Sequence, residues 1–133
     1  MADVKFRVGR VALSIAANGT QDFEIADFGA TPKAAMFILT GAVADNTAAI
    51  TARVAVGWCN ATAQGVISVS SADGAASMWA GGVYHDGSCI KLNSGQATNE
   101  GAFSFNSFAP NKVTLNIDAP VGTAYLCTFI LIG

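Results

Sequence analysis

The sequence predicts an all-β fold: an antiparallel β-sandwich, jelly-roll-like or lectin-like, of about eight to ten short strands. Three observations carry this reading. Apolar and polar residues alternate with period two along most of the chain, the pattern of half-buried strands. Turn-forming pairs punctuate the pattern: Asn18-Gly19, Gln64-Gly65, Asp73-Gly74, Asp86-Gly87, Ser94-Gly95 and Val121-Gly122. No segment carries the i, i+3, i+4 apolar stripe of a helix, and the Ala-rich pieces at 42–49 and 72–80 are broken by Gly, Ser or Thr. At 133 residues the chain reads as one domain, 1–133, with an N-terminal strand or arm at 1–16.

The elements follow in order. Val4-Lys5-Phe6-Arg7-Val8 alternates strictly, which predicts a half-buried strand whose solvated face carries Lys5 and Arg7, with Arg10 close behind. Val11-Ala12-Leu13-Ser14-Ile15 repeats the alternation, and Asn18-Gly19 is the pair favoured in two-residue hairpins. Phe23-Glu24-Ile25-Ala26 comes next. The run at 34–39 is unbroken apolar, behind Pro32-Lys33. Proline fixes φ and lacks an N–H, so Pro32 belongs at the entrance of a strand and not in its middle. Further strands are expected at 49–59, 66–70, 88–92, 102–105, 113–117 and 125–132. The last is as apolar as 34–39, interrupted only by Thr128. Two fully apolar strands exceed what the core of one small sandwich needs. Met36, Phe37, Phe129 and Ile130 are therefore candidates for subunit contacts as well as core.

Composition points the same way. Hydrophobic residues make up 52% and charged residues 12%, about half the usual charged share. Either other chains cover much of the surface, as in obligate assemblies, or the surface is one of uncharged Ser, Thr, Asn and Gly. A net charge of −2 gives no support to a nucleic-acid partner. No apolar run approaches the ~18 residues of a membrane span. The N-terminus, MADVKFRVGR, is polar from the start and does not read as a secretory signal, so synthesis in a cytosol is expected. Three cysteines (Cys59, Cys89, Cys127) without a C-x-x-C pair fit neither a disulfide framework nor a zinc site and read as small buried thiols.

No catalytic set emerges. The single histidine, His85, is followed by Asp86 and Ser88 in one glycine-flanked stretch. A nucleophilic triad converges from separate elements, so this adjacency reads as a polar loop tip. No calcium-loop or phosphate-loop motif is present. No cofactor is expected, and the protein reads as non-enzymatic. Among the aromatics, Trp58 reads as the end of a core strand. Trp79 and Tyr84, beside glycine-rich stretches, read either as gap fillers or, with His85, as an exposed ligand-binding surface.

The entry Phe28-Gly29-x-x-Pro32-Lys33-Ala34 into an apolar strand, the Asp73-Gly74 turn and the late Val113-Thr114-Leu115-Asn116-Ile117-x-x-Pro120-x-Gly122-Thr123-x-Tyr125 resemble small bacteriophage virion proteins. The resemblance spans about residues 23–133. It implies a β-sandwich of the head-decoration (cement) or tail-attachment type, and the framing is also faintly similar to the trimeric H-type lectin sandwich. The closing hairpin here has Ala109-Pro110-Asn111-Lys112 where that group has Asp-Gly-Phe. The resemblance implies a virion protein with a homo-oligomer, most simply a trimer, and the phage major capsid protein or tail proteins as partners. Lys5, Arg7 and Arg10 would face an acidic capsid surface. The alternative is a tail-fibre or receptor- and carbohydrate-binding adhesin using Trp79, Tyr84 and His85.

Overall fold

The computed structural model describes residues 3–46, 53–71, 80–93 and 99–133. They form ten strands and no helix, in two antiparallel sheets packed face to face. The strands are β1 (Phe6–Ala12), β2 (Thr20–Glu24), β3 (Ala34–Thr40), β4 (Arg53–Asn60), β5 (Gln64–Ser71), β6 (Ala80–His85), β7 (Ile90–Asn93), β8 (Asn99–Ala109), β9 (Lys112–Ala119) and β10 (Leu126–Ile132). The large sheet runs β1-β10-β3-β4-β5-β6 and the small one β2-β9-β8-β7. The last strand thus returns to lie between the first and the third, closing the large sheet across the whole length of the chain.

Two expected strands at the N-terminus are one. β1 runs through Gly9 without a break, pairing from Phe6↔Ile132 to Ala12↔Leu126. Gly9 is there because the ring of Phe129 occupies the space a side chain would take. Lys5 and Gly133 extend the ladder by exchanging both backbone hydrogen bonds, at 2.6 and 3.0 Å. Asn18-Gly19 turns the chain, with Gly19 at φ +101°, but it leads from one sheet to the other and closes no hairpin. Gln64-Gly65 opens β5; the turn lies just before it, where Asn60 Oδ1 accepts hydrogen bonds from the backbone N–H groups of Thr62 and Ala63 at 2.8 Å. The Asp73-Gly74 and Ser94-Gly95 turns and most of the 72–80 piece lie outside the described residues.

Pro32 does stand at the entrance of its strand, and the next residue, Lys33, donates its N–H to Ile132. The loop before it is tied to the β8–β9 hairpin. That hairpin turns on Pro110-Asn111, with Asn111 at φ +69°, the left-handed value a type II turn requires at its second corner. Asn111 holds the 25–30 loop three ways. Its Oδ1 accepts from Gly29 N at 2.7 Å, its carbonyl accepts from Ile25 N at 2.9 Å, and its N–H donates to Ala30 at 2.8 Å.

The core between the sheets centres on three phenylalanines. Phe23 of the small sheet meets Phe37 and Phe129 of the large one edge-on, with ring centroids 5.2 and 5.5 Å apart. Leu13, Phe28, Leu39, Ile90, Phe103, Leu115 and Leu131 fill the space around them.

Candidate interaction surface

The inner face of the large sheet is packed against the small sheet, and no element of the described residues covers its outer face. Register fixes what lies there. One row across the sheet reads Arg10–Thr128–Ile38–Val56–Ile67–Tyr84, another Val8–Ile130–Met36–Trp58–Gly65. The next rows carry Phe6 and Ile132 on one side and Val54 and Val69 on the other. Nine of the large apolar residues of this face are exposed, from Val56 at 37% to Val8 at 67%.

β4 and β5 invert the usual distribution of residue sizes. In β4 the small Ala55, Gly57 and Cys59 point inward while Val54, Val56 and Trp58 point outward. In β5 Ser68 and Ser70 are buried and Ile67 and Val69 exposed. The cause on β4 is steric: the backbone of Cys89, leading into β7, sits where a Gly57 side chain would be. A strand approached that closely has room inside only for small residues, so period-two alternation sends the large ones out.

Two aromatics form the most prominent feature of this face. The Trp58 indole nitrogen and the Tyr84 hydroxyl both reach over Gly65, standing 3.0 and 2.9 Å from where its Cβ would be. Gly65 therefore provides the floor on which the two side chains converge. At the other side of the face a groove of about 300 Å³ is lined by Ile38, Thr40, Leu126, Thr128, Arg10 and Asp45. Arg10 pairs with Asp45 across its rim.

The residues that sequence reasoning singled out are separated by this geometry. Met36 and Ile130 are register partners on the outer face, half-buried among their neighbours. Phe37 and Phe129, one residue along, point the other way into the core at 0% and 1% exposure. They hold the two sheets together and are closed to a partner. The basic residues divide likewise: Arg10 shares the outer side with Phe6 and Val8, whereas Lys5 and Arg7 alternate to the opposite side of the edge strand. Phe6 and Val8, expected on a buried side, are exposed because the outer face has no cover.

His85 is not at a loop tip; it ends β6, paired with Val66. Tyr84 and His85, adjacent on that strand, face opposite sides of the sheet, so they do not form one site. Burial, with the Lys91 charge second, holds the His85 imidazole below its ordinary value. Trp79 lies outside the described residues. Trp58, expected as core, takes its place beside Tyr84; the signal was the small-large alternation of Ala55 to Cys59, whose phase only the approach of Cys89 decides.

Sequence reasoning also missed an ion pair at one end of the sandwich. Arg53 of β4 pairs with Glu100 of β8 and donates to the Tyr125 hydroxyl at 2.6 Å, its guanidinium 5.8 Å from that ring. The pair joins the two sheets and positions the start of β10. No group of three or more metal-binding side chains occurs among the described residues. No protein-family model, curated protein or solved structure matches the chain.

Proposed function

We propose that this chain is a non-enzymatic structural protein of a bacteriophage particle, a capsid decoration or cement protein that acts through β-sandwich contacts. The observation that carries the reading is the outer face of the large sheet. Two of its central strands, β4 and most of β5, send their large apolar residues outward and keep small ones inward, the opposite of what a free-standing sandwich needs. A protein whose widest surface is built this way works by being covered. The virion assignment rests on the resemblance of the Phe28–Ala34 entry and the Val113–Tyr125 closing segment, and it implies a homo-oligomer, a trimer by that resemblance, set on the major capsid protein. On this reading the chain is made in the host cytoplasm and resides in the virion. Lys5 and Arg7, on the free edge of β1, are its basic contacts with an acidic shell.

The test is to mix the purified protein with phage heads stripped of their decoration. Saturable binding at many copies per head, with a raised disruption temperature, is expected. Absence of binding at micromolar protein overturns the assignment.

A second reading, a tail adhesin, is favoured by one observation. Trp58 and Tyr84, both exposed, bring an indole N–H and a hydroxyl together over Gly65, apolar rings with polar tips of the kind that bind a sugar. Binding to host cells that is lost in Trp58→Ala and Tyr84→Ala, with head binding absent, would establish it instead.

A further inference from the structure

We infer that the occupant of the outer face of the large sheet is a second copy of this chain, stacked sheet against sheet about a two-fold axis. The inference rests on the assembly reading above for its biological meaning but puts a two-fold pair in place of the trimer that the resemblance implies, and its structural grounds are separate.

The first ground is area. The exposed apolar residues of the face include three aromatics, a class that buries ~150–250 Å² per side chain, and together they come to on the order of 800 Å². That is one partner's share of a standard stable interface and exceeds the few hundred Å² a monomer ordinarily leaves in one apolar patch. The second ground is charge. The rows across the face contain one formally charged side chain, Arg10, and Asp45 neutralises it at the rim. Two copies of this face can therefore meet without burying an unpaired charge or opposing like charges. An acidic or basic partner would find nothing here to pair with.

The third ground is shape. β-branched and aromatic side chains standing on a pleated sheet interdigitate with another such sheet about 10 Å away, as in every sandwich core. An isologous contact gives each half the same surface, so Val56 and Ile67 at the centre meet their own equivalents or near neighbours. Trp58 and Tyr84, folded down over Gly65, fill the gap that the glycine would otherwise leave and so continue the apolar surface across the sheet.

The experiment is sedimentation or light-scattering mass across 1–200 µM (about two decades upward from a micromolar dissociation constant), on the wild type and on Val56→Lys with Ile67→Lys. Both substituted residues are exposed, so the double variant tests association without emptying the core. The expected result is twice the 13.5 kDa chain mass for the wild type and a monomer for the variant with an unchanged far-UV spectrum. An independent readout needs no variant fold. Trp58 emission should shift to the blue as wild-type concentration rises, with the shift lost in Trp58→Phe.

A wild type that remains monomeric, or a trimer, or a dimer that persists in the double variant, overturns the inference. Head binding separates the two readings: monomeric protein that still cements heads sinks the stacked pair alone. A dimer that ignores heads sinks the virion assignment alone.

Discussion

A side chain on Gly57 would collide with the carbonyl oxygen of Cys89. Gly57 is in the large sheet and Cys89 just before β7 of the small one, and their backbones can approach because position 57 has no Cβ. This contact sets the phase of β4, and the phase of β4 decides which side of the protein is apolar.

Gly57→Ala is therefore expected to be among the most damaging single substitutions in the chain. Overpacking a well-filled core costs typically ~1–3 kcal/mol and sometimes more, and here the obstacle is backbone, which cannot turn aside as a side chain does. The loss should reach at least about 3 kcal/mol, a large part of a small domain's stability. Gly81→Ala, which meets open space on the edge strand β6, serves as the control and should change stability by less than about 0.5 kcal/mol. Urea midpoints for the two variants check this; equal midpoints would mean that Cys89 can retreat.

The period-two pattern and turn chemistry were enough to read a two-sheet β architecture, because a strand's alternation is local. The side on which the core lies is not local. Val4-Lys5-Phe6-Arg7-Val8 reads as a strand burying its apolar side, yet Phe6 and Val8 face an uncovered surface. Val54 to Cys59 reads equally well in either phase, and only the arrival of Cys89, 32 positions beyond Gly57 by number, selects one. β6 was missed because its Ala-Gly-Gly opening resembles a loop, and its pairing with β5 comes from the neighbouring strand. The apolarity of 34–39 and of 125–132, broken only at Thr128, was legible. The division of labour, Phe37 and Phe129 inward against Met36 and Ile130 outward, follows from register alone.

Asn111 should be more sensitive than its position at a hairpin tip suggests. Its side chain accepts the Gly29 N–H, and its backbone sits at a positive φ that asparagine tolerates and alanine resists. Asn111→Ala loses both and should cost about 1–3 kcal/mol. Asn111→Gly keeps the conformation, loses only the hydrogen bond to an exposed loop, and should cost about half as much or less. Thermal or urea unfolding of the pair ranks them; a glycine variant as weak as the alanine one would place the whole effect in the side-chain contact.

The Asp22–Lys112 pair predicts a small acid limb. Hydrogen bonds from Lys112 and then Thr114 hold the Asp22 carboxyl below its ordinary value, and the Lys112 ammonium is held above its own. The sign follows from linkage. A carboxyl whose folded pKa is depressed contributes stability at pH above its unfolded value, near 4, and that contribution is lost as pH falls through the folded value. Asp22→Asn should flatten the decline of the urea midpoint below pH 4 and make the midpoint less salt-dependent at pH 7. Both effects should be slight, because the pair is solvent-exposed and screened. An acid limb unchanged in Asp22→Asn would assign it to other carboxylates.

The thiols predict the alkaline limb. All three cysteines are free and buried. Burial pushes the Cys127 thiol up to about 12, and the neighbouring Cys59 thiol, then burial, hold Cys89 far above its ordinary range. Cys89 also donates to the Phe103 carbonyl at 3.4 Å, a bond that the thiolate would lose. In the unfolded chain cysteine ionises near pH 8.5, while in the folded protein Cys89 and Cys127 keep their protons there. The folded state then binds more protons than the unfolded one, so stability must fall as pH rises above about 8.5. A thiolate-selective reagent at pH 8 should find almost nothing to modify in the native protein and three equivalents after denaturation. Rapid native modification of even one cysteine would show that a core strand opens far more readily than its packing implies.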